Sequence, residues 1–251
     1  MKKELLVFAA FFLLSLSAIT SVYAIEEKAR VVTISENEAD ITGDGKNEVI
    51  YLKGIPYQDE DSYLKTVYVE ITGSNGKMYK IPLEGGSKAA LQLEDLNNDG
   101  VKDLLASVLT GGSGGITNNF LFSLKDFKNT QLTIPDPLEV ESGFLNGYKA
   151  EIKIEETGKS YLFNLKDRKK YYNNLGLYYN GRLNEPTELT VNPYSTLKPI
   201  FIKGVMGLKG VQRVTGIANA DTIAIIESLW VIKGGQWKLV NANVQKEIQQ
   251  K

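Results

Sequence analysis

The sequence contains neither cysteine nor histidine among its 251 residues. Without cysteine the chain forms no disulfide bond, offers no thiol nucleophile and has no site for lipid attachment at a cysteine. Without histidine it lacks the usual general base of serine and cysteine hydrolases and the commonest zinc ligand. These two absences exclude Ser-His-Asp triads, Cys–His proteases and ordinary zinc sites.

The sequence also lacks an excess of charge of either sign. It has 29 basic and 30 acidic residues, for a formal net charge of −1. Proteins that bind nucleic acid or anionic membranes through electrostatics carry a clear basic excess. We therefore expect no nucleic-acid partner and no strong attraction to an anionic membrane surface.

Long apolar runs are scarce, and the clearest one is at the amino terminus. Lys2 and Lys3 precede an apolar run over residues 5–19, and Val22 and Ala24 place small side chains before a cleavage point. This pattern is typical of a secretory signal peptide over residues 1–24. The run is short for a membrane span, although an uncleaved amino-terminal anchor is the alternative. We expect a secreted, extracellular or cell-envelope protein with no stable membrane span after cleavage.

Residues 95–103 form a loop with oxygen ligands at alternate positions, and Gly100 stands at position six where a sharp turn is needed. The candidate Ca²⁺ ligands are the side chains of Asp95, Asn97, Asp99 and Asp103 and the carbonyl of Val101. Each close pair of carboxylates repels by about 4 kcal/mol at an effective dielectric near 20. A bound divalent cation would remove that repulsion, whereas the alternative is a plain Asn/Asp/Gly turn.

The same spacing occurs earlier, over residues 40–48. The corresponding candidates are Asp40, Thr42, Asp44, the carbonyl of Lys46, and Glu48. Threonine is a weaker ligand than asparagine, and Glu48 is one methylene longer than its counterpart. Neither loop is an EF-hand, because position twelve is Tyr51 or Ala106 instead of the bidentate glutamate and the flanking sequence is β-like.

With the apolar and glycine-rich residues that follow the later loop, residues 31–125 resemble the FG-GAP/VCBS-type repeats of extracellular proteins. The resemblance implies Ca²⁺-stabilised β-propeller blades that bind a partner and do not catalyse a reaction. No third intact loop is present. Residues 201–211 have turn glycines at a comparable place but no acidic ligand.

The remaining pattern predicts strands and hairpins, with one short helix over residues 167–172. Asn75-Gly76 marks one hairpin, and residues 148–165 and 224–240 read as two more. The prolines at 186, 193 and 199 predict a loop-rich passage up to about Lys198.

Hairpin spacing predicts an all-β protein of about four β-meander units, arranged as a small propeller-like assembly or, alternatively, a β-sandwich. Residues 25–135 would hold the two calcium-loop repeats. Residues 136–251 would hold further hairpin units of the same domain, in which metal loops are absent or degenerate.

Two other features invite functional interpretations. Residues 111–115 match the Gly-x-Ser-x-Gly nucleophile elbow, but a chain without histidine cannot activate Ser113 in that way. Tyrosines cluster near three asparagines, at Tyr171, Tyr172, Tyr178 and Tyr179. Core packing is the favoured interpretation, and stacking on a sugar or anchoring a protein is the alternative.

The sequence thus favours an exported, calcium-binding, non-catalytic module that binds an envelope or extracellular partner, either a protein or a glycan. One alternative is a secreted hydrolase of glycans or phosphoesters that uses two carboxylates 5–10 Å apart, as glycosidases do. The other is a structural envelope or coat component.

Overall fold

The computed structural model describes residues 30–58 and 61–246. The protein is all-β, with 60% of the described residues in strands and 6% in helices, which confirms the predicted fold class at that level. The predicted signal peptide, residues 1–24, lies outside the described residues. Within them, no helix has the length and apolar character needed to cross a membrane.

The strands are short in the first three quarters of the described chain and long in the last quarter. In chain order they are β1 (Val32–Ala39), β2 (Glu48–Pro56), β3 (Tyr63–Thr72), β4 (Met78–Leu83), β5 (Gly86–Glu94), β6 (Asp103–Leu109), β7 (Thr117–Ser123), β8 (Thr130–Leu132), β9 (Val140–Leu145), β10 (Lys149–Ile154), β11 (Lys159–Asn164), β12 (Tyr178–Tyr179), β13 (Arg182–Leu183), β14 (Thr190–Ile202), β15 (Val205–Thr215), β16 (Thr222–Lys233) and β17 (Gln236–Lys246).

Between residues 30 and 246, apart from residues 59 and 60, helical structure is confined to short segments. The α-helix α1 (Lys169–Asn174) follows directly on a 3₁₀ turn (Lys166–Arg168), and a second 3₁₀ turn (Lys125–Phe127) follows β7. The short helix predicted over residues 167–172 is confirmed.

Antiparallel meanders account for nearly all of the sheet structure. The first two, β1–β4 and β5–β8, join into one eight-stranded sheet because β3 also pairs with β5 through Tyr63↔Ser87 and Leu64↔Gly86. A three-stranded sheet (β9–β11), a two-stranded ribbon (β12–β13) and a four-stranded sheet (β14–β17) follow. Asn75 and Gly76 form the β3–β4 turn, and Trp237 pairs with Ile232 in the β16–β17 hairpin, as the sequence predicts.

The predicted loop is correct around Pro186, since residues 184–189 lie outside strands and helices, but wrong beyond it, because β14 runs through Pro193 and Pro199. Among the strands of the described residues, β14 is an edge strand that pairs only with β15, so the missing N–H groups can face away from the ladder. Pro193 also lies where the register shifts between Val191 and Tyr194. Edge position and bulge together explain why the prolines do not interrupt the strand.

Residues 201–211, whose turn glycines suggested a degenerate metal loop, span the tip of the β14–β15 hairpin and the first seven residues of β15. Ile202 pairs with Val205, leaving Lys203 and Gly204 as a two-residue turn. Both turn residues have positive φ, 48° and 95°, as tight hairpin turns require.

Strand β6 is buried on both faces and separates two hydrophobic cores. Leu104, Ala106 and Val108 belong to a core shared with the first meander. Leu105 faces the opposite way, into a core shared with the later sheets. A strand buried on both faces reads as a continuous apolar run, which explains the unbroken Leu-Leu-Ala sequence here.

A buried ion pair connects the helical segment to the β15–β16 turn. Arg168 pairs with Asp221, the Tyr172 hydroxyl donates to the other Asp221 oxygen at 2.9 Å, and Arg168 also donates to the Thr222 carbonyl at 2.7 Å. The guanidinium, the carboxylate and the phenol are all buried. These contacts fix α1 against the four-stranded sheet.

The position of β6 generates a stability prediction. Leu104→Ala and Leu105→Ala should each lower the free energy of unfolding by about 2–5 kcal/mol, because each leaves a cavity in a different core. Urea unfolding measures this, with Leu162→Ala as the control, since Leu162 is 61% exposed. A small cost for either of the two adjacent residues would contradict burial on both faces.

Candidate functional site

The two candidate cation loops occupy equivalent places in the first two meanders. The first loop, residues 40–48, connects β1 to β2, and the second loop, residues 95–103, connects β5 to β6. In both, position nine is the first residue of the following strand, Glu48 or Asp103. The sequence repeat therefore coincides with a structural repeat.

The carboxylate at position nine is fully buried in both loops. Glu48 accepts a hydrogen bond from the backbone N–H of Ile41, and Asp103 accepts one from that of Leu96, each at 3.0 Å. Ile41 and Leu96 stand at position two and are themselves fully buried. The acidic group thus ties the loop entrance to the start of the next strand.

The carboxylate at position one closes each loop onto its glycine. Asp40 accepts from the N–H of Gly45 at 2.8 Å, and Asp95 accepts from that of Gly100 at 3.0 Å. The two glycines have φ of 81° and 85°, a conformation that other residues adopt only at a cost. This explains glycine at position six of both loops.

The carboxylate at position five caps the backbone two residues later. Asp44 accepts from the N–H of Lys46 at 2.9 Å, and Asp99 accepts from that of Val101 at 3.0 Å. Each of these acids keeps a second oxygen for another partner. In Asp44 that oxygen accepts from the Ser74 hydroxyl at 2.6 Å, and in Asp99 it accepts from the Asn97 amide at 3.2 Å.

Position three supplies a polar hydrogen to the carboxylate at position nine. The Thr42 hydroxyl lies 3.4 Å from a Glu48 oxygen, and the Asn97 amide nitrogen lies 3.3 Å from an Asp103 oxygen. The same amide also lies 3.2 Å from an Asp99 oxygen. The second loop therefore brings positions three, five and nine together, with an amide donor between the two carboxylates.

The charges of the second loop are only partly compensated. The pKa of Asp103 is raised to about 6, mainly by burial and also by the nearby charges of Asp99 and Asp95, against hydrogen bonds from the Leu96 and Asn97 N–H groups that lower it. The Lys125 ammonium donates to the Asp99 carbonyl at 2.9 Å and lies 3.5 Å from its carboxylate.

The negative charges of the first loop are compensated differently, by hydrogen bonds from Ser74 in the β3–β4 turn. The Ser74 hydroxyl donates to Asp44 at 2.6 Å, and its N–H donates to Glu48 at 3.2 Å. The hydroxyl contact is the main reason that the pKa of Asp44 is lowered. Sequence reasoning missed both Ser74 and Lys125, because they reach the loops from turns distant in sequence, the β3–β4 turn and the 3₁₀ turn after β7. The available signal in the sequence was a polar residue in each of these turns.

The described residues contain no group of three or more acidic side chains arranged to hold a metal ion. In both loops the acidic oxygens accept hydrogen bonds from backbone N–H groups and from the position-three side chain. Ligation by Asp95, Asn97, Asp99, Val101 and Asp103, or by Asp40, Thr42, Asp44, Lys46 and Glu48, stays a prediction. It requires the position-three side chain to turn an oxygen towards the loop centre.

The tyrosine cluster divides into buried and exposed members. Tyr172 and Tyr178 are buried in the core that β6 shares with the later sheets, here called the second core. The Tyr178 hydroxyl donates to the Leu145 carbonyl at 2.9 Å. Tyr171 and Tyr179 are 42% and 72% exposed. Core packing therefore accounts for two of the four rings.

Residues 111–115 lie in the connection between β6 and β7, not at a strand-to-helix turn of the hydrolase type. The Ser113 hydroxyl accepts from the Asn219 amide at 2.8 Å, and the Gly114 carbonyl accepts from Arg213 at 3.1 Å. These contacts dock the glycine-rich loop on the β15–β16 turn.

A shallow depression of about 260 Å³ on the three-stranded sheet contains two glutamates outside the loops, Glu141 and Glu151. A carboxyl that serves as general acid needs a raised pKa. Here Lys153 donates to Glu141 at 2.7 Å and lowers its pKa. Both glutamates are exposed, so this depression offers little to the hydrolase alternative.

Comparison with known proteins finds a family model that matches part of the second half of the chain. Residues 138–245 match the YybI C-terminal domain. The uncharacterized protein YybI of Bacillus subtilis (strain 168) is 26% identical over 209 residues, which cover 80% of this chain and 79% of that protein. The similarity to YybI therefore extends into the first two meanders.

A solved structure, Bacillus licheniformis rhamnogalacturonan lyase PL11, matches with a TM-score of 0.35 and 12% identity. The match covers 85% of this chain and 34% of the lyase chain, so this protein spans about a third of the lyase's length.

The buried acid of the second loop generates a pH prediction for the calcium-free protein. The folded-state pKa of Asp103, about 6, lies above the unfolded value of about 3.9. The folded state therefore binds more protons than the unfolded state between these values. Its free energy of unfolding should fall by about 2 kcal/mol as pH rises from about 4 to about 6. Urea unfolding in chelator measures this.

Asp103→Asn should remove most of that pH dependence while keeping an oxygen for the Leu96 N–H. Glu188→Gln, an exposed acid outside both loops, is the matched control and should retain it. An equal pH slope in the two variants would show that Asp103 is not the titrating group.

Proposed function

We propose that the protein is an exported, calcium-binding module of the cell envelope or extracellular space that binds a partner and does not catalyse a reaction. The observation that carries this proposal is the repeated hydrogen-bond network of the two loops. Acidic oxygens stand at positions one, five and nine of both, and a glycine with positive φ stands at position six of both. Hard oxygen donors around a glycine turn suit Ca²⁺.

The electrostatics of the second loop support a cation there. The charges of Asp95 and Asp99 raise the cost of ionising Asp103, and Lys125 forms its ion pair with Asp99. The Asn97 amide nitrogen lies between two carboxylates, where a cation would be attracted more strongly than a neutral donor. Rotation of that amide would present its oxygen instead, and it would break the hydrogen bond that this oxygen accepts from the Asp99 N–H at 2.9 Å.

The proposed calcium role is to stabilise the fold. At free Ca²⁺ ten times the dissociation constant, each occupied loop would add about 1.4 kcal/mol. Domains of this size are stable by only about 5–15 kcal/mol. In an exported chain without disulfides, two such loops would matter.

We also propose that the meanders are arranged in the manner of propeller blades, with a sandwich-like stack as the alternative. The second meander lies between two cores, one shared with the first meander and one with the later sheets. A blade packs against a neighbour on each face in the same way.

The calcium proposal generates a test by thermal unfolding of the mature protein. Ca²⁺ should raise the midpoint relative to chelator, and Asp99→Asn should lose most of the contribution of the second loop. This variant keeps an acceptor for the Val101 N–H and removes one charge. Glu188→Ala should respond to Ca²⁺ as wild type does. A midpoint indifferent to chelator in wild type would rule out stabilisation by calcium.

The export proposal generates a separate test by mass spectrometry. The chain produced with its own amino terminus in a Gram-positive secretion host should appear outside the cytoplasm with a mass that begins near Ile25. The Leu13→Arg variant interrupts the apolar run and should remain inside at full length, whereas Leu13→Ile should be processed normally. Full-length wild-type protein confined to the cytoplasm would contradict export.

A further inference from the structure

A groove of about 330 Å³ lies between the three-stranded sheet and the outer face of the four-stranded sheet. Lys159 and Tyr161 of β11 form one wall, and Lys209, Glu227 and Asn241 are among the residues of the other. This volume falls within the range of about 300–1,000 Å³ found for small-molecule sites. Every lining residue lies within residues 138–245, the part that matches the YybI C-terminal domain.

Two amides on the last strand face this groove. Asn241 and Asn243 are two residues apart on β17, so their side chains lie on the same face of the sheet. They pair across to Leu229 and Glu227, whose side chains also line the groove. Among the described residues neither asparagine side chain has a hydrogen-bond partner. Two free amides at this spacing suit the hydroxyl groups of a sugar, since each amide both donates and accepts.

The groove carries more positive than negative charge. Lys209 is paired with Glu227, whereas Lys159 is exposed and has no partner among the described residues. Two ammonium groups and one carboxylate leave one positive charge in excess. That excess favours a ligand that carries an anionic group.

The groove is also lined by an aromatic ring. Tyr161 is half-buried, packs against the second core and presents part of its ring to the groove. Leu229 and Ile200 supply further apolar surface on the opposite wall. An aromatic ring beside hydrogen-bonding groups offers one apolar and one wet surface, which suits the apolar face and the hydroxyl edge of a pyranose.

We propose that this groove binds an acidic oligosaccharide, with the Lys159 ammonium on a sugar carboxylate and the Asn241 and Asn243 amides on sugar hydroxyls. The inference rests on the proposed binding function, to which it adds the site and the class of ligand. It does not depend on calcium, because the groove lies outside both loops. The loops and the groove would then serve stability and recognition separately.

Isothermal titration calorimetry with three uronate hexasaccharides tests the proposal: fragments of hyaluronan, polymannuronate and polygalacturonate. Their methyl esters keep the sugar backbone and remove the charge. We expect at least one acidic hexasaccharide to bind about tenfold or more tightly than its ester, as loss of one charged hydrogen bond implies. Titrations in chelator and in Ca²⁺ should agree.

Two variants that change the charge of the groove should shift the affinity for the acidic hexasaccharide in opposite directions in the same assay. Lys159→Gln should weaken binding of the acidic hexasaccharide about tenfold. Glu227→Gln should strengthen it, because Lys209 is released and a negative charge is removed. Neither variant should change binding of the ester. The control Lys238→Gln removes an exposed lysine from β17 outside the groove and should match wild type.

The double variant Asn241→Ala/Asn243→Ala should weaken binding of acid and ester alike, with an unchanged thermal midpoint. Absence of binding by all three acidic hexasaccharides, equal affinity for acid and ester, or groove variants that match Lys238→Gln would each overturn the proposal. Calcium stabilisation would be unaffected by any of these results. Conversely, a chelator-insensitive midpoint with the expected charge effects would leave the groove in place and remove the calcium role.

Discussion

The buried carboxylate at the start of β2 and of β6 is the constraint on which the rest of the structure depends. Glu48 and Asp103 enter their strands without any exposure to solvent, and each binds a backbone N–H at the opposite end of its loop. Burying an ionised acid is costly unless hydrogen bonds or a cation compensate it. The remaining loop residues are arranged around that requirement, either as donors or as further acids that accept hydrogen bonds from the loop backbone.

The second of these carboxylates is also where the loop meets the hydrophobic core. Asp103 leads directly into Leu104 and Leu105, which point into different cores. Loop geometry thus sets where β6 begins, and β6 in turn is the layer shared by both halves of the molecule. A disturbance at the loop is therefore expected to affect packing on both sides of that strand.

Local features were predictable from sequence, and non-local ones were not. Hairpins marked by Asn75-Gly76 or by the final tryptophans follow from turn chemistry and alternation, and glycine at position six follows from a positive φ. Edge position decides whether prolines such as Pro199 interrupt a strand, and edge position depends on the order of strands in space. The contacts of Ser74 and Lys125 with the loops also depend on which turns the fold brings next to each loop. The groove beside β17 forms only where the three-stranded and four-stranded sheets meet. Calcium ligation and the arrangement of the meanders remain predictions.

Calcium occupancy of the loops is the central claim, and anomalous scattering from crystals grown in Ca²⁺ tests it most directly. The account predicts an anomalous peak in the second loop, about 2.3–2.6 Å from oxygens of Asp95, Asp99 and Asp103, with the Asn97 amide turned to present its oxygen. A weaker peak is expected in the first loop, where threonine replaces asparagine. Crystals at saturating Ca²⁺ with no peak in either loop, and with Asn97 still donating to both carboxylates, would contradict the account.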